Sequence, residues 1–404
     1  MKNFGRIFTL AALCAVILGS CIKEQAYKLE TARLDVMLTR GVEASQNQGD
    51  GISDAMVWVY KCTIGEDGKP SNVEETATGW RRQTNISTYQ SITLHVELPI
   101  CDGSQDYLLV AVLNTDAFGD MINPLDDTTY TLDANTTYSQ LSTTVFNAES
   151  ADFWKSYPRE LEPERMPISN WKTFCITSDN THPDKCYELE LPVYRAVGKV
   201  QLMMNKTSDN FDVTVTGAKI VSSAMPQNGG VFTANYTTGT GANGEPTMQG
   251  LSDASVTKPD WLGTVSFAAG ERAMNNTTND VASFTAKTIE DTAISTGADT
   301  DTYTWIGSAF LYENKGELTN ASEYDSVPTG TGDNEGGYYM EVSYTVNVND
   351  ETEDLTKYVA LPPVVRNHDY QIKATVAQTV TGDLVINYYV TEWTEQTINV
   401  PSFD

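Results

Sequence analysis

The chain has 404 residues, enough for two domains of ordinary size with a core each, and carries 54 acidic against 26 basic residues, a net charge of -28. That excess is spread along the chain rather than gathered in a tail, which argues against nucleic-acid partners and anionic membrane surfaces and for a solvated, self-repelling exterior.

Residues 1–21 read as a targeting segment. Lys2 and Arg6 start it, the apolar run Ile7 to Leu18 is too short to span a bilayer comfortably, and Leu18-Gly19-Ser20-Cys21 resembles the bacterial lipobox. The expected mature chain begins at a lipidated Cys21, held to a membrane from an oxidising space and without a spanning helix elsewhere.

Arg33 to Glu43 comes next. Leu34, Val36 and Leu38 alternate with Asp35, Met37 and Thr39, the period-2 pattern of a strand with one buried face. The strand then meets Arg40-Gly41 and a polar run from Glu43 to Asp54 that is too poor in apolar groups to pack. Arg40 therefore sits where a trypsin-like protease would cut, and a strand freed there would vacate an apolar groove open to strand addition.

Beyond this point short runs rich in Val, Ile, Thr and Tyr recur between polar turn clusters, which predicts an all-β fold. Strands are expected at Met56–Tyr60, at Ser91–Leu98 with Ile92, Leu94, Val96 and Leu98 on one face, and at Tyr107–Leu113, a central strand buried on both sides. His95 then falls on the outer face. From Asn114 to Pro167 the pattern weakens into an insertion, with a short helix or long loop at Thr131–Asn147. Tyr187–Leu191 resumes strand character, and Val193–Met204 reads as one strand bearing Arg195 and Lys199. The domain boundary is placed there, giving residues 22–195 and 196–404.

In the second half Phe211–Val215, Lys219–Val221, Thr302–Tyr312, Tyr338–Val348, Tyr370–Val376 and Leu384–Val390 are expected strands, Asn228-Gly229-Gly230 a turn and Thr237–Pro259 a long loop. Ile398, Val400 and Phe403 mark a last strand that Pro401 limits to an edge.

Four cysteines remain after the leader. Cys175 with Cys186 would close the turn-rich stretch Ile176–Lys185, leaving Cys62 with Cys101, although four cysteines allow three connectivities. No C-x-x-C spacing and three scattered histidines speak against a metal site. No nucleophile elbow, zinc-protease motif, P-loop or dinucleotide fingerprint is present, so neither catalysis nor a cofactor is expected.

Several segments together resemble the fimbrillin family of Bacteroidales, the subunits of protease-matured surface fimbriae. They are the lipobox, the strand ending in Thr39-Arg40, Ala55–Tyr60, Tyr107–Asn114, Arg165-Met166-Pro167-Ile168-Ser169, Leu191–Val200, Phe310-Leu311-Tyr312-Glu313-Asn314, and Val365–Tyr370 with Trp393. The resemblance implies two β-sandwich domains of transthyretin-like topology with long loop insertions and no enzymatic activity. It also implies export as an outer-membrane lipoprotein, arginine-specific cleavage at Arg40-Gly41, loss of the strand bearing Leu34, Val36 and Leu38, and its replacement by a strand from another subunit. Partners would be other fimbrial subunits, the protease, the membrane through the lipid before processing, and a host or bacterial surface receptor. Ile398, Val400 and Phe403 would form the donor tail, although the short tail and long second-half loops also suit a tip or accessory subunit. The contrasting reading is a surface lipoprotein that stays anchored through Cys21, never polymerises, and binds glycan or protein ligands.

Overall fold

The structure, a computed structural model, describes residues 31–40, 51–66, 68–88, 92–99, 101, 103–123, 127–147, 165–177, 186–231, 237–240, 246–249, 267–274, 276, 284–292, 302–314, 316–320, 324–330, 336–349, 351–377 and 384–392. It is all-β, as the alternating apolar pattern predicts, and the strands form two sandwiches in succession.

The first contains β1 (Thr31–Arg40), β2 (Ile52–Ile64), β3 (Gly79–Thr88), β4 (Ile92–Pro99), β5 (Ser104–Leu113), β6 (Ile168–Thr177) and β7 (Cys186–Arg195). Strands β4, β1 and β7 make one layer, and β3, β2, β5 and β6 the other. The layers join at one corner, where Ile168 and Ser169 of β6 pair with Arg195 and Tyr194 of β7. Between them lies a core of Leu34, Val36, Leu38, Leu94, Val96, Leu98, Val57, Val59, Leu109 and Leu191. Burial of one such side chain contributes about 1.5 to 3 kcal/mol, so period-2 alternation alone orients these strands.

β2 and β5 are buried on both faces, which explains their unbroken apolar runs. Their second face, with Met56, Trp58, Tyr60, Val110 and Val112, packs under the Asn114–Asn147 insertion through Phe118, Leu132, Leu141 and Phe146. Trp58 Nε1 donates to Asp133 O at 2.8 Å and Tyr60 Oη to Thr136 O at 2.8 Å, which pins the insertion down. Its described residues hold a 3-10 turn at Thr115–Phe118 and one α-helix, α1 (Tyr138–Thr143). It is started by Thr137, whose side chain accepts from Gln140 N while the Gln140 side chain caps the Thr137 amide.

The second sandwich contains β8 (Gly198–Lys206), β9 (Asp212–Pro226), β10 (Phe267–Ala273), β11 (Thr304–Leu311), β12 (Tyr339–Val348), β13 (Glu351–Ala360), β14 (His368–Val376) and β15 (Leu384–Glu392). Its layers are β11, β8, β14, β15 and β10, β9, β12, β13. An offset of seven strands maps one sandwich onto the other. β1 runs antiparallel to β4 and parallel to β7, and β8 runs antiparallel to β11 and parallel to β14. β15 has no counterpart in the first half.

Three sequence expectations change here. Val193–Met204 is two strands, broken at Ala196-Val197, because the chain passes there from one sandwich to the next. Gly229-Gly230 is not a free turn; it pairs with Phe146 and Val145 of the first half. A Cβ on Gly229 would come within 2.6 Å of Phe146 Cε1 and 2.7 Å of Tyr312 Cδ1, so only glycine allows the approach. Within Thr237–Pro259, residues Thr237–Thr240 and Pro246–Gln249 pair as a small ladder; residues 250–259 lie outside the described set. The acidic run after Asn347 is a hairpin tip, with Asn349 at φ 52 and the exposed Glu351, Glu353 and Asp354 opening the edge strand β13. Charge there guards an edge against unwanted pairing.

The halves are bound by Arg366, which is 6% exposed. Its guanidinium pairs with Glu313 at 2.9 Å and donates to Gly230 O at 3.0 Å, Val231 O at 3.3 Å and Ser169 Oγ at 3.5 Å. Removing it takes the guanidinium from the part-buried Glu313 carboxylate and one donor from each of Gly230 O and Val231 O. Arg366→Ala is expected to cost about 3 to 5 kcal/mol, read as a lowered urea midpoint by tryptophan fluorescence.

Candidate functional site

The first strand is the feature of the fold with chemistry to explain. β1 is a central strand, not an edge: Arg33–Arg40 pairs with Cys186–Val193 of β7 on one side, and Thr31–Leu38 pairs with Pro99–Ile92 of β4 on the other. On its inner face Ala32, Leu34, Val36 and Leu38 are 7%, 1%, 0% and 0% exposed. Among the described residues β4 has β1 as its only ladder partner. The layer therefore depends on a strand that precedes all other described strands and is joined to β2 through residues 41–51.

The outer face of β1 is polar. Arg33 Nε donates to Asp35 Oδ1 at 2.6 Å and its Nη2 to Oδ2 at 2.9 Å. His95 of β4 places Nδ1 2.6 Å from Asp35 Oδ1 and 2.9 Å from Arg33 Nη2. Partial burial raises the Asp35 pKa, but hydrogen bonds from Arg33, His95 and Cys186 outweigh it and hold the carboxyl below its ordinary value. The outward position expected for His95 is observed; its part in a bridge from β4 to β1 was not legible, because register across strands is not written in either one.

Arg40 closes β1 opposite Val193. Cys21, Gly41 and the tail residues Ile398, Val400 and Phe403 lie outside the described residues. Cys62, Cys101, Cys175 and Cys186 are free thiols, so neither expected disulfide is formed. Phe174 and Ile176 of β6 face the inner core, as do Tyr187 and Leu189 of β7. Cys175 and Cys186 therefore point out of opposite layers. Cys62 packs into the outer core and Cys101 against the inner one, on different faces of one layer. The composition of Ile176–Lys185 marks a turn but does not reveal that β6 and β7 lie in different layers.

Among the described residues no group of three or more His, Cys, Asp and Glu is arranged to hold a metal, and no helix is long and apolar enough to cross a membrane. His368, at the start of β14, is buried with Nδ1 2.8 Å from Arg366 O, a structural position. On the second sandwich a groove of about 470 Å³ is lined by Val221, Glu271, Leu318, Val327, Pro328 and Tyr339.

The Asp35 carboxylate adds stability above its unfolded pKa of about 4, and that contribution fades as pH falls through the lower folded value. In protein nicked after Arg40, retention of strand 31–40 on gel filtration is expected to be weaker for Asp35→Asn than for the parent at neutral pH. The two should converge only once pH has fallen below the lowered folded value.

No protein-family model and no curated protein matches the chain. Among solved structures it is similar to a protein provisionally assigned to cell adhesion from Parabacteroides distasonis ATCC 8503, at 12% identity and TM-score 0.47, covering 91% of this chain and 99% of that one. It is also similar to a fimbrial protein from Bacteroides vulgatus ATCC 8482, at 13% identity and TM-score 0.42, covering 90% and 99%. A third is the C-terminally truncated tip fimbrial protein Mfa3 from Porphyromonas gingivalis, at 11% identity and TM-score 0.41, covering 90% and 100%.

Proposed function

We propose that the chain is a structural subunit of a cell-surface fimbria, exported as an outer-membrane lipoprotein through Cys21 and cut after Arg40 by an arginine-specific protease. It joins other subunits by strand exchange and so supports adhesion. The observation that carries this reading is the place of β1, a central strand with ladders on both sides and an arginine at its end. An edge strand leaving a sheet exposes one row of backbone groups. A central strand leaves a slot with two rows and an apolar floor, which a strand from another chain satisfies fully.

The equivalent strand of the second sandwich cannot be exchanged in this way. β8 follows β7 after only Ala196-Val197 and continues into β9, so it is covalently held at both ends. The two domains, 22–195 and 196–404, then have different duties: the first accepts a strand, and the second remains closed. The tail with Ile398, Val400 and Phe403 is the candidate donor toward a neighbour, with Phe403 out of phase with the other two.

The groove near Val327, 47% exposed, favours a second reading as an anchored ligand-binding lipoprotein. Mass spectrometry of the N-terminus of protein stripped from intact cells separates the two. A start at Gly41 is the expected result. A lipidated Cys21 as the sole start would rule out maturation by loss of β1 and leave the binding reading.

A further inference from the structure

The two ends of β1 are held unequally. Among the described residues Thr31 and Ala32 pair with β4, Thr39 and Arg40 pair with β7, and residues 33–38 have both ladders. Each end faces one proline, Pro99 opposite Thr31 and Pro192 opposite Thr39. Proline removes a donor at both ends and does not distinguish them.

Three other features do. Ala32 buries its side chain beside Leu34 at the first end. The Arg33-Asp35-His95 bridge ties the same half of β1 to β4. In the other half the outer-face residue is Met37, which is 40% exposed and lies between Thr93 of β4 and Glu190 of β7. Cleavage after Arg40 would create its new chain end in this loosely held half.

Loss of the whole strand before a replacement arrives has a high cost. It would uncover Leu94, Val96 and Leu98 of β4, leave β4 with no partner in the sheet order, and open one side of β7. Unpaired backbone groups over eight residue pairs on each side would face the slot at once.

Resting on the strand-exchange reading above, we infer that cleavage does not release β1: the nicked strand stays seated and is peeled out from its Arg40 end by the incoming strand, with Arg33-Asp35-His95 as the last contact to open. The occupant is an extended segment of another subunit running parallel to β7. It must be apolar at the alternate positions that face the pockets of Leu38, Val36, Leu34 and Ala32, which it meets in that order. Small polar or charged residues suit the positions between them, where the row beside β1 holds His95, Glu97, Glu188 and Glu190.

The test uses the full chain with a site-specific protease sequence placed directly after Arg40, nicked in solution. A fluorescent peptide of sequence 31–40 serves as the competing strand, with its uptake followed by anisotropy. Peeling predicts that the nicked protein elutes with its strand bound and that the uptake rate rises about tenfold for a tenfold rise in peptide. A rate independent of peptide concentration would show that the strand leaves first and would overturn the inference while keeping strand exchange. No uptake at any concentration would instead overturn the strand-exchange reading itself.

Entry and lock are tested separately. A competitor lacking its Thr39-Arg40 end should lose about tenfold in rate, and one lacking Thr31-Ala32 should lose little; the reverse order would overturn entry at Arg40. Asp35→Asn in the resident strand should speed exchange several-fold, with Met37→Ser unchanged as the control. Equal rates for both variants and the parent would remove the bridge from its assigned role.

Discussion

The first sandwich depends on the hydrogen-bonding needs of a backbone that has nowhere else to turn. β4 meets its layer through β1 alone, and β7 meets β6 through only two residue pairs. The three-stranded layer is thus held to the rest of the domain mostly by side chains pressed against β2, β5 and β6, while its internal order rests on β1. Apolar contact tolerates replacement of one strand by another of the same pattern. Backbone ladders do not tolerate a gap.

The seven-strand correspondence between the halves makes this sharper. Both have a first strand between an antiparallel and a parallel neighbour, facing a four-stranded layer. The same topology is set in different connectivity. β8 is clamped between two short covalent links, whereas β1 opens the described chain and is followed by a long polar connection. β15 adds a strand beside β14. The matching edge of β7 is instead blocked by side chains of β6, with Asn170 Nδ2 donating to Pro192 O at 2.7 Å and Lys172 Nζ to Glu190 O at 3.2 Å. The β7 edge of the first sandwich is thereby closed to pairing.

Strands whose apolar pattern is dictated by one or two buried faces were legible from sequence: β1, β2, β4, β5, β12 and β14 fall within a few residues of expectation. β3 and β6 were not. β3 is an outer strand carrying Arg81, Arg82 and Gln83. β6 mixes Trp171, Phe174 and Ile176 with Asn170, Lys172 and Thr173 because its two faces serve different cores. β13, with its run of exposed acids, reads as loop until the pairing with β12 is seen. Of the site itself, the alternation of Leu34, Val36 and Leu38 and the arginine at their end were readable. The central position of β1 and its bridge to His95 were not, since both arise from contacts between strands more than fifty residues apart.

The two-residue link between β7 and β8 has a mechanical consequence. A strand seated beside β7 is held by a ladder running along its length, so a pull along that strand loads the hydrogen bonds in shear and spreads the load over all of them. From β7 the load passes through Ala196-Val197 directly into β8, the middle strand of the next sandwich, whose own neighbours β11 and β14 flank it on both sides. Tension therefore crosses the molecule from the centre of one layer to the centre of the next. It bypasses β3 and the Asn114–Asn147 insertion, which are left free to vary without weakening the line of force.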